Sequence, residues 1–225
     1  MFRFAQCYVA AIALGAGMPA AAIAQESTCR TGLFAQQESF AQARVAEKRR
    51  TFFYRDTDGC PTRAGVTDEC RSISYVIEGD MLVTGRSLGE FVCAFFPNDR
   101  GGTAGWIRRN RLTILPSDTA PAPARWEGDW SDGAAADVKI VARGGGTAIA
   151  GNAFWPARPE ENTWPTIHIG EVDGPLTITG NRATYADDDL CELDLTLLAD
   201  FLLIADNRRC GGVNVTFSGV YTRGG

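Results

Sequence analysis

The chain has 225 residues, 45% hydrophobic and 22% charged, with a formal net charge of −5, seven cysteines and a single histidine. This is enough chain for two small domains or one large one. One histidine and no C-x-x-C pair argue against a zinc site, and neither a metal nor a cofactor is implied.

The first 24 residues address the chain to export. Arg3 gives a basic start, Tyr8 to Ile23 is almost wholly apolar or small, and Ala22-Ile23-Ala24 supplies the small-x-small pattern that a signal peptidase reads. Cleavage after Ala24 is expected, with a periplasmic or secreted product and no stable membrane insertion. A retained N-terminal anchor is the alternative. Cys7 precedes the apolar run and lacks the small residues of a lipoprotein site. The other six cysteines are Cys29, Cys60, Cys70, Cys93, Cys191 and Cys210, an even count that reads as disulfides in an exported chain.

Residues 25–115 read as a first, all-β domain. Phe34 to Arg50 has no clean apolar face and reads as an irregular lead-in to a strand at Thr51–Tyr54. Strands are expected at Ser74–Ile77 and Met81–Thr84, then a turn from Gly85 to Gly89. Glu90–Phe96 and Gly105–Ile107 follow as further strands. Residues 116–124 carry three prolines and no large apolar side chain, so they read as a semi-rigid linker between independent halves.

Residues 125–225 read as an acidic antiparallel barrel or sandwich. Asp137–Val141, Cys191–Leu197 and Val213–Ser218 alternate apolar and polar residues. Further short strands are expected at 126–130, 147–154, 166–172, 176–180, 182–186 and 201–205. That makes about nine, with eight the natural closed solution. Charge divides between the halves: 13 Lys and Arg against 10 Asp and Glu over 29–116, but 8 against 15 over 125–225. Nucleic acid is a poor partner for the acidic half, and a cationic protein is a better one.

Several residues carry candidate chemistry. His168 stands between Ile167 and Ile169 and reads as a rim histidine rather than a general base. Asp187, Asp188 and Asp189 read as a solvated hairpin whose carboxylates could meet a cationic partner. Asp206, Asn207, Gly211 and Gly212 flank Cys210 in a disulfide-stiffened loop, where Gly-Gly permits positive φ or close backbone approach. Trp155 and Trp164, each followed by proline, are candidates for a binding mouth or for core lids. No serine-hydrolase elbow is present, and no catalytic residue is assigned.

The aromatic strand at Phe52-Phe53-Tyr54, Tyr75 to Asp80, Phe91-Val92, Gly105-Trp106-Ile107 and the closing Leu112 resemble the SH3-like domains of exported bacterial proteins. The resemblance implies a five- or six-stranded, partly open barrel that binds peptides, cell-wall fragments or a neighbouring domain, here in a groove bordered by Tyr54, Tyr75 and Trp106. Arg125 to Trp130 resembles the opening strand of lipocalin- and avidin-type barrels. Ser218-Gly219-Val220-Tyr221 is similar to the Ser-Gly-x-x-Tyr signature of C-type lysozyme inhibitors, one residue short.

The fold expectation is therefore all-β, an SH3-like barrel followed by an eight-stranded barrel or sandwich. The functional expectation is a non-enzymatic binding protein of the bacterial envelope with a protein or cell-wall ligand. An inhibitor of a lysozyme-type cationic hydrolase and a carboxylate-dependent envelope hydrolase are the alternatives. An antiparallel meander would bring Cys191 to Cys210. In the first domain three pairings are open, of which Cys70–Cys93 with Cys29–Cys60 is the one expected.

Overall fold

The computed structural model describes residues 29–57, 59–62, 65–156 and 167–224. The expected leader and Trp164 lie outside these residues. The fold is all-β. Seven strands form an antiparallel sheet: β1 (Ala41–Val45), β2 (Thr51–Tyr54), β3 (Arg71–Val76), β4 (Met81–Leu88), β5 (Phe91–Phe96), β6 (Thr103–Arg108) and β7 (Leu112–Ile114). Their order is β3-β2-β6-β5-β4-β1-β7. Eight more close into a barrel: β8 (Gly128–Ser131), β9 (Ala136–Arg143), β10 (Gly146–Pro156), β11 (Ile167–Thr179), β12 (Arg182–Ala186), β13 (Glu192–Leu198), β14 (Phe201–Asp206) and β15 (Gly219–Arg223). Each pairs antiparallel with the next, and β15 returns to β8 through Thr222↔Ser131 and Arg223↔Trp130.

Period-two patterning decides which side chains fill the barrel. Leu193, Leu195 and Leu197 of β13 and Leu202 and Ile204 of β14 point inward, joining Trp126, Trp130, Phe217 and Tyr221 in one buried cluster. The interior is packed with side chains. The Trp130 indole donates to the Trp126 carbonyl at 3.0 Å, and the Tyr221 hydroxyl donates to the Phe217 carbonyl at 2.7 Å.

The outer face of β13–β15 is also apolar, and it is buried. Leu198, Phe201, Leu203 and Val220 pack with Cys29, Phe34, Val83, Phe91, Cys93, Phe95 and Trp106 of the first lobe in a second cluster. Phe34 belongs to the 3-10 turn Thr31–Gln36, which leans on β14 and β15. The two lobes thus meet in a buried apolar contact. The proline-rich 116–124 segment joins two lobes that share a core, because β14 is apolar on both faces.

Other expectations change for local reasons. The two strands expected within 166–180 are one over Ile167–Thr179, β11, so the barrel has eight strands. Pro175 is tolerated there because β11 ladders with β12 only from Thr177 onward. Val213–Ser218 is a loop, and the last strand begins at Gly219. The turn expected at 85–89 is strand up to Leu88, with a register shift between Thr84 and Ser87 where Gln37 Oε1 accepts the Arg86 N–H. The lead-in over 34–50 contains β1, paired with both β4 and β7.

Three disulfides form: Cys29–Cys93, Cys60–Cys70 and Cys191–Cys210, with Cα separations of 5.5, 5.3 and 4.6 Å. The last is as expected. The other two correct the expected Cys70–Cys93 and Cys29–Cys60. Cys70 ends a short 3-10 turn before β3 and closes the β2–β3 loop onto Cys60. Cys93, buried mid-β5, faces Cys29 at the head of the Thr31–Gln36 turn. Such bonds mark a chain that folds in an oxidising, non-cytoplasmic compartment. Among the described residues no helix is long and apolar enough to cross a membrane.

Candidate binding cleft

Along β2, Thr51 and Phe53 turn inward while Phe52 and Tyr54 lie on the opposite face, half-buried. Register places Tyr75 and Arg71 of β3 opposite Phe52 and Tyr54. Arg49 and Arg50 end the β1–β2 connection, Arg108 ends β6 and Arg111 lies in the short turn that follows. Phe52, Tyr54 and Arg71 with these four arginines line an open cleft of about 450 Å³, beside which Tyr75 stands; among the described residues its acidic lining is Glu47 and Asp68.

Aromatic faces hold the cations. The Arg50 guanidinium lies 4.3 Å from the centroid of the Tyr75 ring, and that of Arg71 lies 5.0 Å from the Phe52 ring. Arg111 is ion-paired with Glu47, and Arg108 with Glu90. Partial burial works against the Arg108 charge, but hydrogen bonds to Tyr54 and Glu90 outweigh it and raise its pKa. Among the described residues, Arg49, Arg50 and Arg71 have no carboxylate within ion-pair distance.

Of the three aromatic residues expected to border a groove, Tyr54 and Tyr75 do stand on this face. Trp106 does not line it, being 1% exposed. Its indole donates to Asp56 Oδ1 at 2.9 Å, and Asp56 Oδ2 accepts the Cys29 N–H at 3.1 Å. The Arg86 guanidinium sits 5.0 Å above its ring. Trp106 therefore anchors the first lobe's core.

The acidic candidates gather at one end of the barrel. Cys191–Cys210 and the bond from Asn207 Nδ2 to the Leu190 carbonyl (2.8 Å) join the Asp187–Asp189 turn to the Asp206–Gly212 loop. Asp188 and Asp189 are exposed. Asp187 is occupied within the turn, accepting the N–H groups of Asp189 and Cys191 and the Tyr185 hydroxyl. Asp206 is not a rim residue either. It is 5% exposed and accepts from the Phe217 N–H at 2.7 Å, the Ser218 hydroxyl at 2.8 Å and the Thr216 hydroxyl at 3.0 Å. It organises the loop from inside.

Gly211 and Gly212 serve close approach. A Cβ on Gly211 would lie 2.7 Å from Gly170 Cα, and one on Gly212 3.1 Å from His168 Cβ. His168 is half-buried under this loop and registers opposite Trp155. A second cleft of about 720 Å³ lies beside the loop, between Trp155, Arg208 and Gln36 of the first lobe.

Sequence reasoning passed over the arginines. Their signal was present in Glu47-Lys48-Arg49-Arg50 and Arg108-Arg109-Asn110-Arg111. Their convergence with Arg71 follows from strand order alone. No protein-family model, curated protein or solved structure matches this chain.

Proposed function

We propose that this chain is a non-enzymatic binding protein of the bacterial envelope, periplasmic or secreted after loss of a signal peptide. Its first lobe is an SH3-like domain that recognises a protein or cell-wall ligand. The observation that carries this reading is the cleft over Phe52 and Tyr54, where aromatic faces and guanidinium groups without carboxylate partners face solvent on a rigid sheet. Short strands, the aromatic β2 and the buried tryptophan of β6 support the SH3-like assignment, and the three disulfides fit export. The barrel acts as a scaffold: its packed interior and the shared cluster fix the first lobe in place.

Photo-crosslinking tests the location. A benzophenone amino acid replaces Tyr75, or replaces Thr184 on the barrel's outer wall, in the full chain in its native envelope. A distinct protein or glycan adduct from position 75 and none from 184 is expected. No adduct at 75, or the same adducts from both positions, would overturn the reading.

A further inference from the structure

Strand β3 is an end strand of the first sheet and, among the described residues, pairs only with β2. Edge strands of exported proteins are ordinarily blunted by charge, proline or cover. Here the outward side chains are Arg71, Ile73 and Tyr75, followed by Ile77. Ile73 is 90% exposed, Ile77 53% and Tyr75 42%. Three large apolar side chains at every second position, beside an open backbone edge, match what an added strand requires. Backbone pairing supplies affinity, and alternate side chains supply selectivity.

The charge beside this edge is predominantly basic: Arg49, Arg50, Arg71, Arg108 and Arg111 line the cleft against Glu47 and Asp68. Arg50 reaches over Tyr75 and Arg71 over Phe52, so both guanidinium groups are held at the β3 margin with their edges open to a ligand. Arg49 lies next to Arg50 in the same cleft. Among the described residues these three are not neutralised, and Glu47 is already taken by Arg111. An isolated anion would use the arginines and leave Ile73 and Ile77 bare. A second copy of this chain pairing β3 to β3 would bring two arginine sets together, and like charges repel.

The geometry points to an acidic, extended segment of a partner protein as the occupant, added to the sheet as a strand alongside β3. Its carboxylates meet Arg49, Arg50 and Arg71, and its apolar side chains cover Ile73, Tyr75 and Ile77. This rests on the reading of the cleft as the ligand site and specifies the ligand's class. Guanidinium groups pre-placed on aromatic faces lose little freedom when they take a carboxylate, which suits bidentate pairing.

The test uses the intact protein and fluorescein-labelled heptapeptides of alternating Val and Glu, read by anisotropy. A Gln-for-Glu peptide, a Val/Glu peptide N-methylated at alternate residues, and inorganic polyphosphate complete the set. The Glu peptide is expected to bind, and to weaken steeply between about 0.05 and about 0.5 M salt. The Gln peptide and the double variant R50Q/R71Q should each lose about tenfold, while R143Q on the barrel should lose nothing. N-methylation should abolish binding by blocking the ladder. Equal binding of the Gln and Glu peptides would overturn the acidic assignment. Equal binding of the N-methylated peptide, with full competition by polyphosphate, would replace strand addition by simple anion capture. Self-association of the free protein that strengthens in R50Q/R71Q would make a second copy, paired at β3, the occupant. Crosslinking at position 75 without binding of any peptide would refute this inference and leave the cleft reading standing.

Discussion

Gln36 Nε2 donates to Ser218 Oγ at 2.8 Å across 182 positions of sequence, latching the turn that precedes the first sheet to the loop that precedes β15. Ser218 is fully engaged there. Its oxygen also accepts the Asp206 N–H and its hydroxyl donates to the Asp206 carboxylate. Ser218 and Val220 are therefore turned toward the first lobe, while Tyr221 points into the barrel. Beneath the latch lies the shared cluster around Phe34.

Phe34→Ala should consequently cost about 3–5 kcal/mol, the range for deleting a fully buried phenylalanine. It should also split unfolding into two transitions, since Phe34 contacts both lobes. Calorimetry of the wild-type chain should show one joint transition. The halves expressed apart should aggregate, because Leu198, Phe201, Leu203 and Val220 would be bare.

Asp206→Asn should loosen the 208–218 loop. An amide cannot accept on both atoms from the donors that Asp206 now satisfies, and one Nδ2–H₂ group would face them. A loss of about 2–4 kcal/mol is expected. Limited proteolysis should show new cleavage within the loop, with peptide binding at β3 unchanged.

Cys191→Ser should destabilise the barrel by about 3 kcal/mol, the chain-entropy value for a loop near the 19-residue separation of this pair. Denaturant titration measures it. Removing Cys29–Cys93 should act differently, freeing the Thr31–Gln36 turn and exposing the inter-lobe cluster to a hydrophobic dye.

Burial pushes the Tyr221 phenol well above its ordinary value, and the charges of Asp132, Asp206 and Asp137 push it further. With the folded pKa above the unfolded one, the neutral form is favoured by folding. This contribution is complete below about pH 10, where the unfolded phenol titrates, and is lost as pH rises. Stability should fall above about pH 10 with a slope near 1.4 kcal/mol per pH unit from this group alone. Tyr221→Phe should remove that component of the slope, measured by denaturant midpoints across alkaline pH.

Much of the barrel was legible because one face of each strand meets a core. Leu193, Leu195 and Leu197 announce β13 by spacing alone. β1 was illegible because Ala41-Gln42-Ala43-Arg44 has little strand propensity, and pairing on both sides imposes the strand. The lobe interface was hidden for a related reason. Phe201 and Leu203 give the same sequence signal as Leu202 and Ile204, although one pair faces the neighbouring lobe and the other the barrel interior. Tyr54 lines the cleft and Tyr75 stands beside it, because alternation along β2 and β3 places both on one face of the sheet. Trp106 was misplaced because a tryptophan's burial depends on what covers it, here Arg86 and Asp56.

The central claim is that the first lobe's cleft is the ligand site. Amide chemical-shift mapping of the intact protein, titrated with the Val/Glu heptapeptide and with soluble cell-wall fragments, tests it most directly. The account predicts shifts confined to Arg49–Tyr54, Arg71–Ile77 and Arg108, with the barrel silent. Shifts confined to the Asp187–Asp189 turn or the Asp206–Ser218 loop, or no shifts at the cleft with any of these ligands, would contradict it.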